Sequence, residues 1–218
     1  MHSLTFDGLL HDGATLLWMG AHSDDLEIGC GGTLLKLLDR HPGLRVHWVV
    51  FSSDEQRARE ANESAIAFLA GAKSVEITIK AFRNGYFPYV ADRIKDDFEA
   101  LKRNVAPDLI FTHHENDAHQ DHRLISQLTW NTFRSHLILE YEIPKYDGDL
   151  GRPNVFSCLD EASSQRKIDI IMQCFESQRD KQWFDADLFR ALLRLRGMES
   201  DSPTRLAEAF YCRKLVLG

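Results

Sequence analysis

Between Thr15 and Thr112 the chain alternates four short apolar runs with three longer amphipathic stretches, and nothing else in the sequence restricts its folding so tightly. Thr15–Ala21, Val46–Phe51, Val75–Ile79 and Asp108–Thr112 are read as strands, the second rich in Val with a central Trp. Leu26 to Arg40 carries Leu34, Leu35, Leu37 and Leu38 at helical spacing, and Pro42-Gly43 stops it. A second helix from about Ala58 to Leu69 puts Ala61, Ala65, Phe68 and Leu69 on one face, and Arg93–Asn104 forms a third. Strand–helix units of this length join parallel strands by crossover helices. The expected fold is therefore α/β, a three-layer Rossmann-like domain with a mostly parallel sheet.

Beyond Gln127 the pattern loosens. Leu137–Tyr141 reads as a further strand, Ser163–Arg179 and Ala186–Arg196 as helices, and Lys214–Leu217 as a terminal strand. Ile143 to Asn154 carries two Pro and two Gly and reads as a long loop, which in a compact domain is more often functional than a linker. Residues 1–218 are expected to form one domain.

Composition excludes several classes. Hydrophobic residues at 44% and charged residues at 27% are the balance of a globular protein, and a net charge of −7 without a basic stripe argues against nucleic acid. No apolar run reaches the roughly 20 residues of a membrane span. Met1–Asp7 lacks the features of a signal peptide, so a cytoplasmic location is expected. The cysteines, Cys30, Cys158, Cys174 and Cys212, form no C-x-x-C pair and read as free, mostly buried thiols.

The chemistry collects at two strand ends. The first strand runs into His22-Ser23-Asp24-Asp25, and the fourth into a segment holding four histidines between His113 and His122. Ligands in open parallel sheets bind outside the carboxyl ends of the strands. Taken singly, Asp24-Asp25 is an ordinary helix-capping pair and His119 with His122 a solvated first turn. Two imidazole and carboxylate clusters leaving one sheet edge together point instead to a metal site, suited to zinc or ferrous iron. Gly29-Cys30-Gly31-Gly32 has the wrong spacing for a dinucleotide fingerprint and lies inside the helix, where it suits close packing.

The same residues resemble a known family, the PIG-L/LmbE-like N-deacetylases of N-acetylglucosamine-type sugars. Ala21-His22-Ser23-Asp24-Asp25-Leu26-Glu27 with Gly31-Gly32-Thr33 is similar to its A-H-P-D-D-x-E…G-G-T signature. Asp117-Ala118-His119-Gln120-Asp121-His122-Arg123 is similar to its D-x-H-x-D-H-R, and Arg57 to Glu60 to its R-x-x-E. Ser177-Gln178, Arg196-Gly197 and Glu208-Ala209-Phe210 resemble weaker landmarks. Ser23 departs from the family's Pro, and Asn84-Gly85 stands where Asp-Gly is common.

The resemblance implies His22, Asp25 and His122 as zinc ligands, with Fe2+ the alternative metal, and Asp24 as general base. It implies His119 as the acid or electrophilic partner, protonated and oriented by Asp121. Arg57, Arg123, Asn84, Tyr146 and Arg152 are candidate contacts to a small N-acetylated sugar. The implied activity is hydrolysis of an N-acetyl group to acetate and a free amine. The alternatives are a metallohydrolase of another amide or ester bond, or a catalytically silent sugar- or nucleotide-binding module. The aglycone and the oligomeric state, homo-oligomer included, are left open.

Overall fold

The computed structural model describes residues 5, 6 and 8–216. Its elements run β1 (Thr15–Gly20), α1 (Asp25–Arg40), β2 (Arg45–Val50), α2 (Glu55–Phe68), β3 (Ser74–Ile79), α3 (Ala91–Asn104), β4 (Leu109–His113), α4 (Gln120–Thr132) and β5 (Leu137–Tyr141). β6 (Val155–Cys158), α5 (Glu161–Cys174), α6 (Ala186–Glu199) and β7 (Ala207–Tyr211) follow, with short 3₁₀ turns at Phe87–Val90 and Glu176–Gln178. The strands form one sheet in the order β3-β2-β1-β4-β5-β7-β6. β3, β2, β1, β4 and β5 are parallel neighbours, and β7 pairs antiparallel with both β5 and β6. This is the three-layer, mostly parallel α/β architecture expected.

Alternation along β1 shows why both faces must be covered. Leu16 and Trp18 enter one core with residues of α1, α2, α5 and α6, while Leu17 and Met19 enter a second with Ile94 and Phe98 of α3 and Ile125 of α4. Trp18 stacks on Phe111 of β4 with ring centroids 3.8 Å apart, locking the two central strands together. The helices begin where capping chemistry allows. Asp54, Asp160 and Asp185 each accept a backbone N–H of the first turn of α2, α5 and α6.

The glycines of α1 admit close neighbours. A Cβ on Gly31 would lie 2.6 Å from the Phe68 ring of α2, and one on Gly32 would lie 2.5 Å from Leu159. Glu208 of β7 reaches the same place, accepting the Gly32 and Thr33 N–H groups at 2.8 and 2.6 Å. Lys167 of α5 neutralises that buried carboxylate at 2.6 Å and also donates to the Ile28 carbonyl.

Three expectations require correction. The last strand is β7, Ala207–Tyr211; Lys214–Val216 is irregular, and Leu217 lies outside the described residues, as do Met1–Leu4 and Asp7 of the N-terminal segment. Its alternation was masked by the polar Glu208, whose carboxylate is spent on α1. The helix read from Ser163 to Arg179 ends at Cys174, and the following 3₁₀ turn carries Ser177 and Gln178 elsewhere. All four cysteines are free, but only Cys30 is buried. Among the described residues no helix is long and apolar enough to cross a membrane.

Replacing Gly31 with Val is expected to destabilise the protein by about 1–3 kcal/mol through overpacking. Thermal or urea unfolding checks this, and an unchanged midpoint would show that α1 and α2 can separate.

Candidate metal and catalytic site

The sheet order explains how two distant segments meet. The chain proceeds outward from β1 to β2 and β3, then returns to place β4 on the other side of β1. The crevice opens where this order reverses, between the carboxyl ends of β1 and β4. His22-Ser23-Asp24 leaves the first, and the segment from His114 to His119 leaves the second.

Three of the residues lie close together. His22 Nδ1 lies 3.1 Å from His122 Nε2 and 3.4 Å from Asp25 Oδ2, and His122 Nε2 lies 3.5 Å from Asp25 Oδ1. His22 and His122 face different oxygens of Asp25. Among the described residues, the sets whose ligand atoms gather closely enough to share one ion are His22, His119 and His122, and Asp25, His113 and His122. Two ring nitrogens facing at 3.1 Å need one hydrogen between them, donated by one ring to the lone pair of the other, or an ion that both can bind. Burial opposes protonation, but Asp25 and Asp121 outweigh it and raise His22 to about 9. Burial and the neighbouring His113 push His122 down to about 3. Asp25 is buried, yet His122, His113 and His22 hold it well below the usual carboxylate range.

Each member is held from behind. His122 Nδ1 faces Asp117 Oδ2 at 2.9 Å, so an Nδ1–H donated there leaves the Nε2 lone pair for the cluster. Asp25 Oδ2 accepts the His22 N–H at 2.6 Å. His113, the last residue of β4, is fully buried, with Nε2 3.1 Å from Asp25 Oδ2 and 2.9 Å from the Ala21 nitrogen. Asp117 and His113 were not singled out from sequence, although both stood in the histidine-rich segment. Their value depends on where β4 ends, a boundary the sequence placed one residue early.

Asp24 occupies the N-cap position of α1 but makes no capping bond. Its Oδ1 accepts from Arg57 Nη2 at 2.7 Å, and its Oδ2 is buried without a partner. Burial raises its pKa, against the opposing charge of Arg57. An unpartnered buried carboxylate oxygen beside a cluster of imidazoles is a poor helix cap and a good acceptor for a proton.

The neighbouring helix start is unusual in a second way. His119 is the N-cap of α4, and its Nδ1 accepts the Asp121 N–H at 3.2 Å. The remaining proton of a neutral ring therefore sits on Nε2. Burial and the charge of His22 lower His119 below the ordinary imidazole range. The Asp121 carboxylate is turned to other partners than His119. That carboxylate accepts from Gly85 N at 2.6 Å and Phe87 N at 3.1 Å, and lies 3.3 Å from His22 Nε2. Gly85 adopts φ +77°, a conformation costly for any residue with a Cβ, and this turn aims its N–H at Asp121.

The cluster floors an open cleft of about 570 Å³, within the range of small-molecule sites. Arg57, Asn84 and Tyr146 line it as expected. Arg123 and Arg152 do not: Arg123 donates to the carbonyls of Asp117 and Ala118, bracing that turn, and Arg152 is exposed elsewhere on the long loop. The structure adds Lys145, Gln178, Lys181 and Trp183 to the walls. Ser177 and Gln178 arrive there because Glu60 of α2 accepts the Ser177 N–H and hydroxyl at 2.9 and 2.5 Å.

The chain is similar to several known proteins. A curated relative, the uncharacterized deacetylase YaiS of Escherichia coli (strain K12), is 26% identical over 140 residues, 59% of this chain and 74% of that protein. The N,N'-diacetylchitobiose deacetylase of Pyrococcus horikoshii superposes with a TM-score of 0.71 at 23% identity, covering 95% of this chain and 87% of that one. GalB, the 4-carboxy-2-hydroxymuconate hydratase of Pseudomonas putida KT2440, has a TM-score of 0.71 at 18% identity, covering 94% and 98%. These structural likenesses establish a shared fold. The profile of the GlcNAc-PI de-N-acetylases, PIG-L, matches residues 17–133, which hold both strand ends and every member of the donor cluster. The chain belongs to the PIG-L family.

Proposed function

We propose that the protein is a metal-dependent deacetylase that hydrolyses the N-acetyl group of an N-acetylglucosamine-type sugar or sugar conjugate. The observation that carries this reading is the pairing of a three-residue cluster with the unpartnered Oδ2 of Asp24 beside it. His22, Asp25 and His122 would hold the ion, and two imidazoles with one carboxylate suit Zn2+ or Fe2+. A bound ion supplies Lewis acidity, bringing the pKa of water down toward about 7 and polarising the amide carbonyl.

The chain's own residues supply the rest. Asp24 takes the proton of the attacking water at Oδ2, while Arg57 fixes the carboxylate through Oδ1. The raised pKa of Asp24 suits a group that must first accept a proton and then release it to the departing nitrogen. His119 offers Nε2–H, as a neutral donor, to the oxygen that gains charge when the carbonyl is attacked. Asp121 acts by holding His22 and the Gly85–Phe87 turn, and so the Asn84 wall of the cleft. Trp183 and Tyr146 give apolar surface on which a sugar ring can rest, among polar side chains able to hydrogen-bond its hydroxyls. A silent binding module would leave Asp24 buried with one oxygen unpartnered and no compensating use.

Acetate release from a panel of N-acetylhexosamine conjugates tests the reading. Asp24→Asn is expected to retain the metal while losing about 10²–10⁴-fold in kcat, the usual reach of a general base. His122→Ala is expected to lose the metal, and equal metal loss in both variants would contradict the division of roles. Asp117→Ala is expected to weaken zinc binding by about 10–100-fold, as removal of a ligand's supporting carboxylate does. Competition against a chelating dye measures it.

A further inference from the structure

One wall of the cleft is the start of the long loop after β5, through Ile143, Pro144, Lys145, Tyr146 and Asp147. The loop has no regular structure from Ile143 to Asn154, and Tyr146 on it is 71% exposed. Lys145 behaves otherwise. Its side chain is 12% exposed, and its ammonium meets Asp117 Oδ2 at 3.0 Å, Asp149 Oδ2 at 2.6 Å and the Ile143 carbonyl at 3.0 Å. An ammonium has three hydrogens, so every donor is used.

The Asp117 oxygen that Lys145 reaches is the one facing His122 Nδ1 at 2.9 Å. Asp149 closes the other side, since its Oδ2 also accepts the Ala118 N–H at 2.7 Å. Among the described residues Lys145 is the one ammonium or guanidinium within ion-pair reach of the Asp117 carboxylate. Arg123, though adjacent, donates to backbone carbonyls instead. One side chain from the irregular part of the wall thus supplies the counter-charge for the group that faces Nδ1 of His122.

Resting on the metal-site reading above, we propose that Lys145 is a positioning residue that fastens the substrate-facing loop to the support of the metal ligand His122. Removing it has two linked consequences. Asp117 loses the charge that balances it in a buried setting, so His122 is held less well for a cation. The loop loses the Lys145 bonds to Asp149 and Asp117, and keeps only the Ala118 N–H on Asp149 as a tie to the 117–118 turn.

The test uses the full chain, with zinc as the probe. Zinc affinity is measured by chelator competition, and amide hydrogen exchange follows residues 143–149 in the metal-free protein. Lys145→Met is expected to bind zinc about tenfold more weakly and to exchange those loop amides faster, while Lys145→Arg restores most of both. Lys145→Gln serves the same purpose if the Met variant does not fold. Zinc affinity within twofold of wild type overturns the inference. So does a weaker affinity without faster exchange in the loop, or the reverse, because the coupling would then be absent. A wild-type protein that takes up no zinc overturns the metal-site reading itself, an outcome distinct from equal affinity in wild type and variant.

Discussion

Placing β1 beside β4 is the constraint on which the site depends. Two acidic and imidazole-bearing turns, about a hundred residues apart in sequence, leave neighbouring parallel strands at the same edge. The stack of Trp18 on Phe111 and the backbone register between the strands fix their separation, and hence the separation of His22 from His122. Slippage of one strand by one residue would reverse its side chains between the two cores and carry the turn out of range. The closeness of His22 to His122 is therefore a property of the sheet rather than of either loop.

Such a cluster is expensive to bury, and the surrounding residues show how the cost is met. His22 is flanked by Asp25 and Asp121, Asp24 by Arg57, and Asp117 by His122 and Lys145. Each ion pair restrains an oxygen or ring as well as balancing a charge, which is how buried charges remain tolerable. Asp24 Oδ2 is left with no partner, as are both carboxylate oxygens of Glu27 on the same helix and Nδ1 of His113. Unsatisfied buried polar atoms in folded proteins call for an explanation, and proton transfer supplies one for Asp24. The position of His119 follows the same economy, since one nitrogen caps α4 and the other is left free to face the cleft.

Much of this was legible in the sequence because it follows from local periodicity. The strand and helix alternation through β4 sets the parallel sheet, and the polar residues at its strand ends mark the crevice. The glycines of α1 were readable as packing contacts, and Phe68 and Leu159 are what they pack against. What escaped was carried by long-range pairing without a periodic signal. β6 follows a Pro- and Gly-rich loop, and β7 hides Glu208 in its middle, a charge explained only by its partners on α1 and α5. Arg57 and Glu60, the ends of the stretch similar to R-x-x-E, turn to different partners, Asp24 and Ser177. The resemblance paired Asp121 with His119, whereas the Asp121 carboxylate faces the Gly85–Phe87 turn from a different crossover. Trp183 and Lys145 lie in irregular segments, where composition gives no clue to which side chains reach a cleft formed by other elements.

The central claim is that His22, Asp25 and His122 together form one metal site. Anomalous diffraction from a crystal soaked in zinc, recorded on both sides of the zinc edge, tests it most directly. The account expects one strong peak within bonding distance, about 2.0–2.2 Å, of His22 Nδ1, an Asp25 oxygen and His122 Nε2, with Asp24 close by but not coordinating. A peak held by other residues, or no peak at these three in protein loaded with zinc, would contradict it.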